Sequence, residues 1–276
     1  MNIENIGMNT ESGKIIEIDC DAEAFKEAAD ALRSARKAAA LTGAGISVES
    51  GIPDFRSPGG LWSVFSPDEY ATINVFRSNL KKAWKLFRAI DKTLKGSRPN
   101  AAHEALAKLE AAGRLSAVVT QNIDSLHQAA GSKNVFEIHG SHRNLHCINC
   151  GFTAPAHECA VPAEDAPACG ECGNPLKPDV VLFGEAVRSM DAIMNSLDGC
   201  DVLLVIGTSA NVAPANMLPG IVKRGGGRIF EFNIEETALT RGTDAGFFFA
   251  LDVRSDVLFK GPASVTVSRF AEAVLK

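Results

Sequence analysis

The chain has 276 residues, of which 46% are hydrophobic and 22% charged, and a formal net charge of −5. That length allows a large domain plus a smaller one, and the charge shows none of the clustered basic excess of a nucleic-acid-binding protein, so no direct nucleic-acid contact is expected. No run approaches the ~20 apolar residues of a bilayer span, and the polar start MNIENIGMNTESGK lacks the basic and apolar regions of a secretory signal; a cytoplasmic protein without membrane contact is expected.

In chain order, residues 22–37 carry apolar side chains at helical spacing (Ala24, Phe25, Ala28, Ala31, Leu32, Ala35) and predict an amphipathic helix. The short apolar run 38–41 reads as a buried strand feeding the turn Thr42-Gly43-Ala44-Gly45. Residues 52–80 predict loops and short helices. Helical spacing returns over 79–95 through Leu80, Trp84, Phe87 and Ile90, stops at Pro99-Asn100, and resumes over 101–112. Strands are predicted at 115–119, ending in Thr120-Gln121-Asn122, and at 135–138, ending in His139-Gly140. Residues 141–177 change character, with cysteines, prolines and glycines and little periodicity, and read as an inserted module. Three further strands are predicted at 179–183, 201–206 and 228–233. Fully apolar strands alternating with helices imply an α/β fold, a parallel doubly wound sheet covered on both faces.

Ligands of such sheets bind outside the carboxyl ends of the strands. Six predicted strand ends present small or hydrogen-bonding residues: the glycine turn, Gln121 to Asp124, His139-Gly140, Phe183-Gly184-Glu185, Gly207-Thr208-Ser209 and Asn233. That pattern suggests one wide cleft. Gly43-Ala44-Gly45 resembles the start of a dinucleotide fingerprint, in which glycines admit a pyrophosphate and the next helix N-terminus favours its charge. The third glycine is missing where Val48 stands, so the turn alone also fits a plain tight turn. His139 is a candidate base or a turn residue. Asn122 and Asp124 fit a helix N-cap and first-turn acid equally well, and Phe55 and Arg56 fit a loop aromatic and a surface charge.

Seven cysteines include Cys147-x-x-Cys150 and Cys169-x-x-Cys172, separated by 18 residues. This is zinc-ribbon spacing, and four thiolates complete a tetrahedral sphere, so the predicted zinc is structural. Cys20, Cys159 and Cys200 fit no pairing and are expected to be buried thiols. His146 and His157 lack ligand spacing.

Together, GAGISVESGIPDFRSPGGLW (43–62), TQNIDSLHQAAG (120–131), EIHG (137–140), the two cysteine pairs, KPDVVLFGE (177–185) and GTSANVAPA (207–215) resemble the sirtuin family, in the family's order and across most of 40–235. The resemblance implies a Rossmann-like large domain (1–56, 98–140 and 179–276) and an inserted small domain (57–97 and 141–178) with a helical part and a zinc module. It implies NAD as a consumed co-substrate and an acyl-lysine protein or peptide as partner. Gly43, Ala44 and Gly45 would line the NAD cleft, and Asp54, Phe55 and Arg56 would belong to its cofactor loop. Gln121 would meet the nicotinamide ribose, with Asn122 and Asp124 holding the amide and the catalytic water region. Gly207, Thr208, Ser209 and Asn233 would contact the adenosine half. Val180, Val181 and Phe183 would shape the acyl-lysine channel.

The activity implied is NAD-dependent lysine deacylation. Nicotinamide leaves, the acyl oxygen attacks the exposed sugar carbon, and His139 removes a proton from a ribose hydroxyl, giving free lysine and O-acyl-ADP-ribose. Transfer of ADP-ribose to a protein, or NAD sensing without catalysis, are the competing readings, and the intact QNID and HG motifs favour deacylation. Family members that prefer succinyl or malonyl groups carry a tyrosine and an arginine where Trp84 and Phe87 stand here. An apolar pair cannot neutralise a buried carboxylate, so acetyl or longer apolar acyl groups are expected.

Overall fold

A computed structural model describes residues 14–17, 22–54, 59–242 and 253–276. Its strands are β1 (Lys14–Glu17), β2 (Ala38–Thr42), β3 (Ala117–Thr120), β4 (Val135–Glu137), β5 (Gly140–Cys147), β6 (Thr153–Pro155), β7 (Leu176–Val180), β8 (Val202–Ile206), β9 (Arg228–Asn233) and β10 (Val257–Lys260). Its helices are α1 (Ala22–Ser34), α2 (Pro67–Tyr70), α3 (Ile73–Ser78), α4 (Leu80–Leu94), α5 (Ala101–Ala111), α6 (Leu126–Ala129), α7 (Met190–Leu197), α8 (Leu218–Arg224), α9 (Ala238–Arg241) and α10 (Ala263–Leu275).

Seven strands form one parallel sheet in the order β1-β10-β9-β8-β2-β3-β4. Strand side chains alternate between faces, and here both faces are covered. Ala38, Ala40, Val118, Leu204 and Phe232 pack toward the core shared with α1, α5 and α10, while Ala39, Leu41, Val119, Leu203 and Val205 pack toward α7 and α8. Every residue of β2 and β8 is buried, which is why AAALT and VLLVI lack polar alternation. On the first face Phe232 stacks on Phe259, 4.7 Å between centroids, and Phe25 meets Phe259 edge-on at 5.6 Å.

The chain runs outward from β2 through β3 and β4, then returns to place β8 on β2's other side. The strand order therefore reverses between β2 and β8. Their carboxyl ends, Thr42 and Ile206, are in register and open the crevice where such sheets bind ligands.

One predicted strand belongs elsewhere. Residues 179–183 were expected in the parallel sheet. The observed strand is β7, over Leu176–Val180, and it pairs antiparallel with β5, Gly140 opposite Val180 and Cys147 opposite Leu176. With β6 these strands make a separate three-stranded sheet, ordered β6-β5-β7. An apolar strand run does not encode its partner, and here β5 continues directly from the end of β4 and offers its edge to β7. Phe76, Trp84, Phe87, Leu145, Leu176 and Val180 form a further core under this sheet. The Trp84 indole N–H donates to the Leu176 carbonyl at 3.1 Å, joining α4 to β7.

Three terminal elements were not predicted: β1 at one sheet edge, β10 beside it, and α10, whose buried residues Ala263, Val267, Phe270, Ala271 and Val274 recur at helical spacing.

Candidate active site and thiolate centre

The glycine turn after β2 is built by close backbone approach. A Cβ on Gly45 would stand 2.7 Å from the Gly207 Cα, and one on Gly43 would stand 2.8 Å from the Gly207 oxygen. Gly207 itself sits at φ +59°, where side chains are strained. The Gly45 N–H donates to the Gly207 carbonyl at 2.8 Å. The glycines thus let the turns after β2 and β8 interlock. The turn leads into a 3-10 helix, Ala44–Ser50; Gly51 at φ +82° and Ile52-Pro53 end it after seven residues.

Above the interlocked turns lies a cleft of about 1380 Å³. Its walls gather Gly43, Ala44 and Gly45 from the first turn, Asp54 from beyond the 3-10 helix, and Gln121 and Asn122 from the end of β3. His139 joins them from between β4 and β5. Gly207, Thr208 and Ser209 come from β8, Asn233 from β9, and Val180, Val181 and Phe183 from the end of β7. These predicted residues converge in one space. Asp124 does not line it: its carboxylate lies behind Asn122, accepting from the Ser47 hydroxyl at 2.7 Å and from the Leu126 N–H at 2.9 Å. Phe55 and Arg56 lie outside the described residues.

Hydrogen bonds tie the walls together. The Gln121 side-chain amide donates to Thr208 Oγ1 at 2.9 Å, and the Asn233 amide donates to the Thr208 carbonyl at 3.1 Å. Asn122 is held through its side-chain N–H groups by the Gly43 carbonyl (3.2 Å) and Ser47 Oγ (3.0 Å), while its backbone N–H donates to Thr120 Oγ1. His139 Nδ1 lies 2.9 Å from the Gln121 carbonyl. A carbonyl only accepts, so Nδ1 carries the proton and Nε2 keeps its lone pair. Burial lowers the His139 pKa, partly offset by that carbonyl, and keeps the ring neutral.

Sequence reasoning missed what lies behind this site. His127 Nε2 contacts Thr42 Oγ1 at 2.9 Å, and Thr42 contacts Thr120 at 2.8 Å. His103 packs on His127 with 4.9 Å between centroids and stands 3.5 Å from Ser47 Oγ. Burial lowers His103 to about 4, against a smaller opposing pull from Asp124, and lowers His127 to about 3, with His103 adding to the fall. Both stay neutral. No local pattern marks such a pair, because the partners come from α5, α6 and β2. The apolar wall formed by Leu86, Phe87 and Ile90 of α4 was legible only in part: Phe87 lines the cleft, whereas Trp84 lies buried outside it.

The four cysteines also converge. Their sulfur atoms all lie within 4.8 Å of one another, with Cys147–Cys172 and Cys150–Cys169 each at 3.6 Å. Thiolates at ~2.3 Å from a tetrahedral zinc stand roughly 3.8 Å apart, so the cage fits that ion. Two tight turns shape it, with Gly151 N–H donating to the Cys147 carbonyl and Gly173 N–H to that of Cys169. His146 and His157 stand outside this cluster. Cys200 is buried as expected, Cys159 is only half-buried, and Cys20 lies outside the described residues.

A parallel doubly wound sheet with a glycine-lined crevice at its switch point, joined to a four-thiolate module, defines a nucleotide-binding α/β protein with a structural metal centre. The chain belongs to the Sir2 family: a sequence profile of that family matches residues 43–214. It is 44% identical to an NAD-dependent protein deacetylase of Sulfurisphaera tokodaii over 229 residues, 82% of this chain and 89% of the relative. Among solved structures, a Sir2 homolog–NAD complex superposes with a TM-score of 0.83 at 35% identity, covering 96% of each chain. A Sir2–p53 peptide–NAD+ complex superposes at 0.75 with 32% identity, covering 91% of this chain and 97% of that one.

Proposed function

We propose that this protein is an NAD-dependent protein lysine deacylase that transfers the acyl group of acyl-lysine to ADP-ribose and releases nicotinamide. Relatives named for that activity, and related structures holding NAD and a peptide, support the reading. The observation that carries it is the neutral His139 imidazole, its Nδ1 proton committed to Gln121, in the cleft that also holds Asn122 and Val180–Phe183.

NAD supplies an electrophilic sugar carbon and a leaving group. The chain's residues bind, orient and move protons. Gly43, Ala44 and Gly45 form the turn that faces the cofactor, and the close backbone packing of Gly43 and Gly45 on Gly207 fixes that turn in place. Gln121 and Asn122 form the ribose and nicotinamide side; Gly207, Thr208, Ser209 and Asn233 form the adenosine side. Asp54, with Phe55 and Arg56, contributes the cofactor loop. His139 Nε2 accepts the ribose hydroxyl proton. Asp124 orients Asn122 through Ser47. Zinc bound by Cys147, Cys150, Cys169 and Cys172 pins the module and has no part in proton transfer. A small lobe at 57–97 and 141–178, inserted into the large domain, is part of this reading, and β7 (Leu176–Val180) crosses its 178/179 boundary.

The acyl-lysine enters beside Val180, Val181 and Phe183 and points its acyl end toward Leu86, Phe87 and Ile90. Among the described lining residues Arg241, on the adenosine side, is the one cation. A succinyl carboxylate there would be desolvated without a partner, which favours acetyl or longer apolar groups. The reading is tested by incubating the protein with NAD and an acetyl-lysine peptide. Nicotinamide and O-acetyl-ADP-ribose in equal amounts are expected, and ADP-ribosylated protein in their place would overturn it.

A further inference from the structure

Lys177 is 1% exposed, at the inner end of the KPDVVLFGE segment. Its ammonium donates to the Val180 carbonyl at 2.6 Å and the Pro178 carbonyl at 3.3 Å, and stands 3.1 Å from Glu185 Oε2. That same carboxylate oxygen accepts the Leu182 N–H at 2.8 Å. The neighbouring acid, Asp179, is engaged with Arg188, which leaves Glu185 to Lys177. The ion pair therefore grips the chain on both sides of Val181. The Val181 N–H donates to the His139 carbonyl at 2.8 Å, and Phe183 is pinned through Ala71 and Ile73.

A buried ion pair is poor evidence for net stability, because desolvation offsets the attraction and an apolar side chain of similar size often packs as well. What methionine could not do is donate to two carbonyls and a carboxylate at once. Past Val180 the segment leaves its strand; backbone bonds hold Val181 to His139 and Phe183 to Ala71 and Ile73, while the Lys177–Glu185 unit holds the intervening Val180 carbonyl and Leu182 N–H. The ties between the NAD turns, Gly45 to Gly207 and Gln121 to Thr208, involve neither residue.

We propose that Lys177 and Glu185 are positioning residues for the acyl-lysine half of the reaction: as a unit they hold the 180–182 peptide groups in register with His139. This rests on the deacylase reading above.

The test compares wild type with Lys177→Met, Glu185→Gln and the double variant. It measures KM for an acetyl-lysine peptide and for NAD separately, together with amide hydrogen exchange over residues 180–185. Lys177→Met is expected to raise the peptide KM about tenfold and the NAD KM less than about twofold, with faster exchange at Val181 and Leu182. The double variant should be no worse than the poorer single one, since the pair acts as a unit. Should Lys177→Met fail to fold, Glu185→Gln, which keeps its shape and one acceptor oxygen, carries the same readings. Peptide and NAD KM values that rise together, or unchanged KM and exchange, would overturn the proposal. Wild type that releases no nicotinamide with the peptide would sink the deacylase reading instead, and exchange over 180–185 would still judge the positioning.

Discussion

The Nδ1 of His139 donates across 2.9 Å to the backbone carbonyl of Gln121, so the ring is oriented by the neighbouring strand's end and not by a carboxylate. The arrangement holds one tautomer with the lone pair at Nε2, and it adds no negative charge that would raise the pKa. His139→Ala should lower kcat about 10³-fold while NAD binding and melting temperature stay near wild type. Calorimetric NAD titration and steady-state assays check this; turnover within tenfold of wild type would remove His139 from the mechanism.

Burial lowers the pKa of that ring. A base with a lowered pKa stays deprotonated, and so competent, to lower pH. The acid limb of the kcat/KM–pH profile should therefore have its midpoint below 6.5. A midpoint above 7 would contradict the burial argument.

The neutral pair His103 and His127 links acidity to stability. Their folded pKa values, about 4 and about 3, lie below the 6.5 of an unfolded histidine. Between those values the unfolded chain binds protons that the folded chain refuses. The contribution is therefore complete above pH 6.5 and drains as pH falls toward 4 and then 3, at up to about 1.4 kcal/mol per pH unit for each ring. Urea unfolding at pH 7.5, 6 and 5 should show falling midpoints. Midpoints unchanged over that range would mean the rings are protonated in the folded state.

The interlock between Gly45 and Gly207 leaves no room for a methyl group, since the clash would be with backbone. Gly45→Ala should cost about 1–3 kcal/mol and weaken NAD binding at the same time. Chemical denaturation and a binding titration on the same sample check both halves. A variant as stable as wild type would show that the two turns separate easily.

Removing zinc should unfold the module built on β5, β6 and β7 before the parallel sheet, because bound metal supplies folding energy there. A chelator, or Cys147→Ala, should lower the first thermal transition and expose Trp84, which is buried against β7. Unchanged tryptophan emission after chelation would argue against a structural ion.

Placing a cation on the apolar wall tests acyl choice. Phe87→Arg should raise desuccinylation relative to deacetylation by tenfold or more in kcat/KM, since a desolvated carboxylate would gain a partner. Wild type that removes succinyl better than acetyl would refute the preference directly.

Much of the candidate site was legible before any coordinates. The cysteine pairs, the glycine turn and the polar residues closing each apolar run are local features. Their spacing alone pointed to the four thiols that cluster and, given the topological rule for parallel sheets, to residues that line the cleft. What the chain order could not convey was pairing. The run at 179–183 read as one more parallel strand, yet β7 joins β5 antiparallel, because strand propensity records burial and not the neighbour that supplies it. Tertiary structure alone placed Asp124 behind Asn122 and not in the cleft, turned Phe87 toward the cleft with Trp84 packed edge-on behind it, and joined His103, His127 and Ser47 into one buried network. Hydrogen bonds between residues 50 to 90 positions apart depend on which elements meet in space, and nothing in a local window of sequence records that meeting.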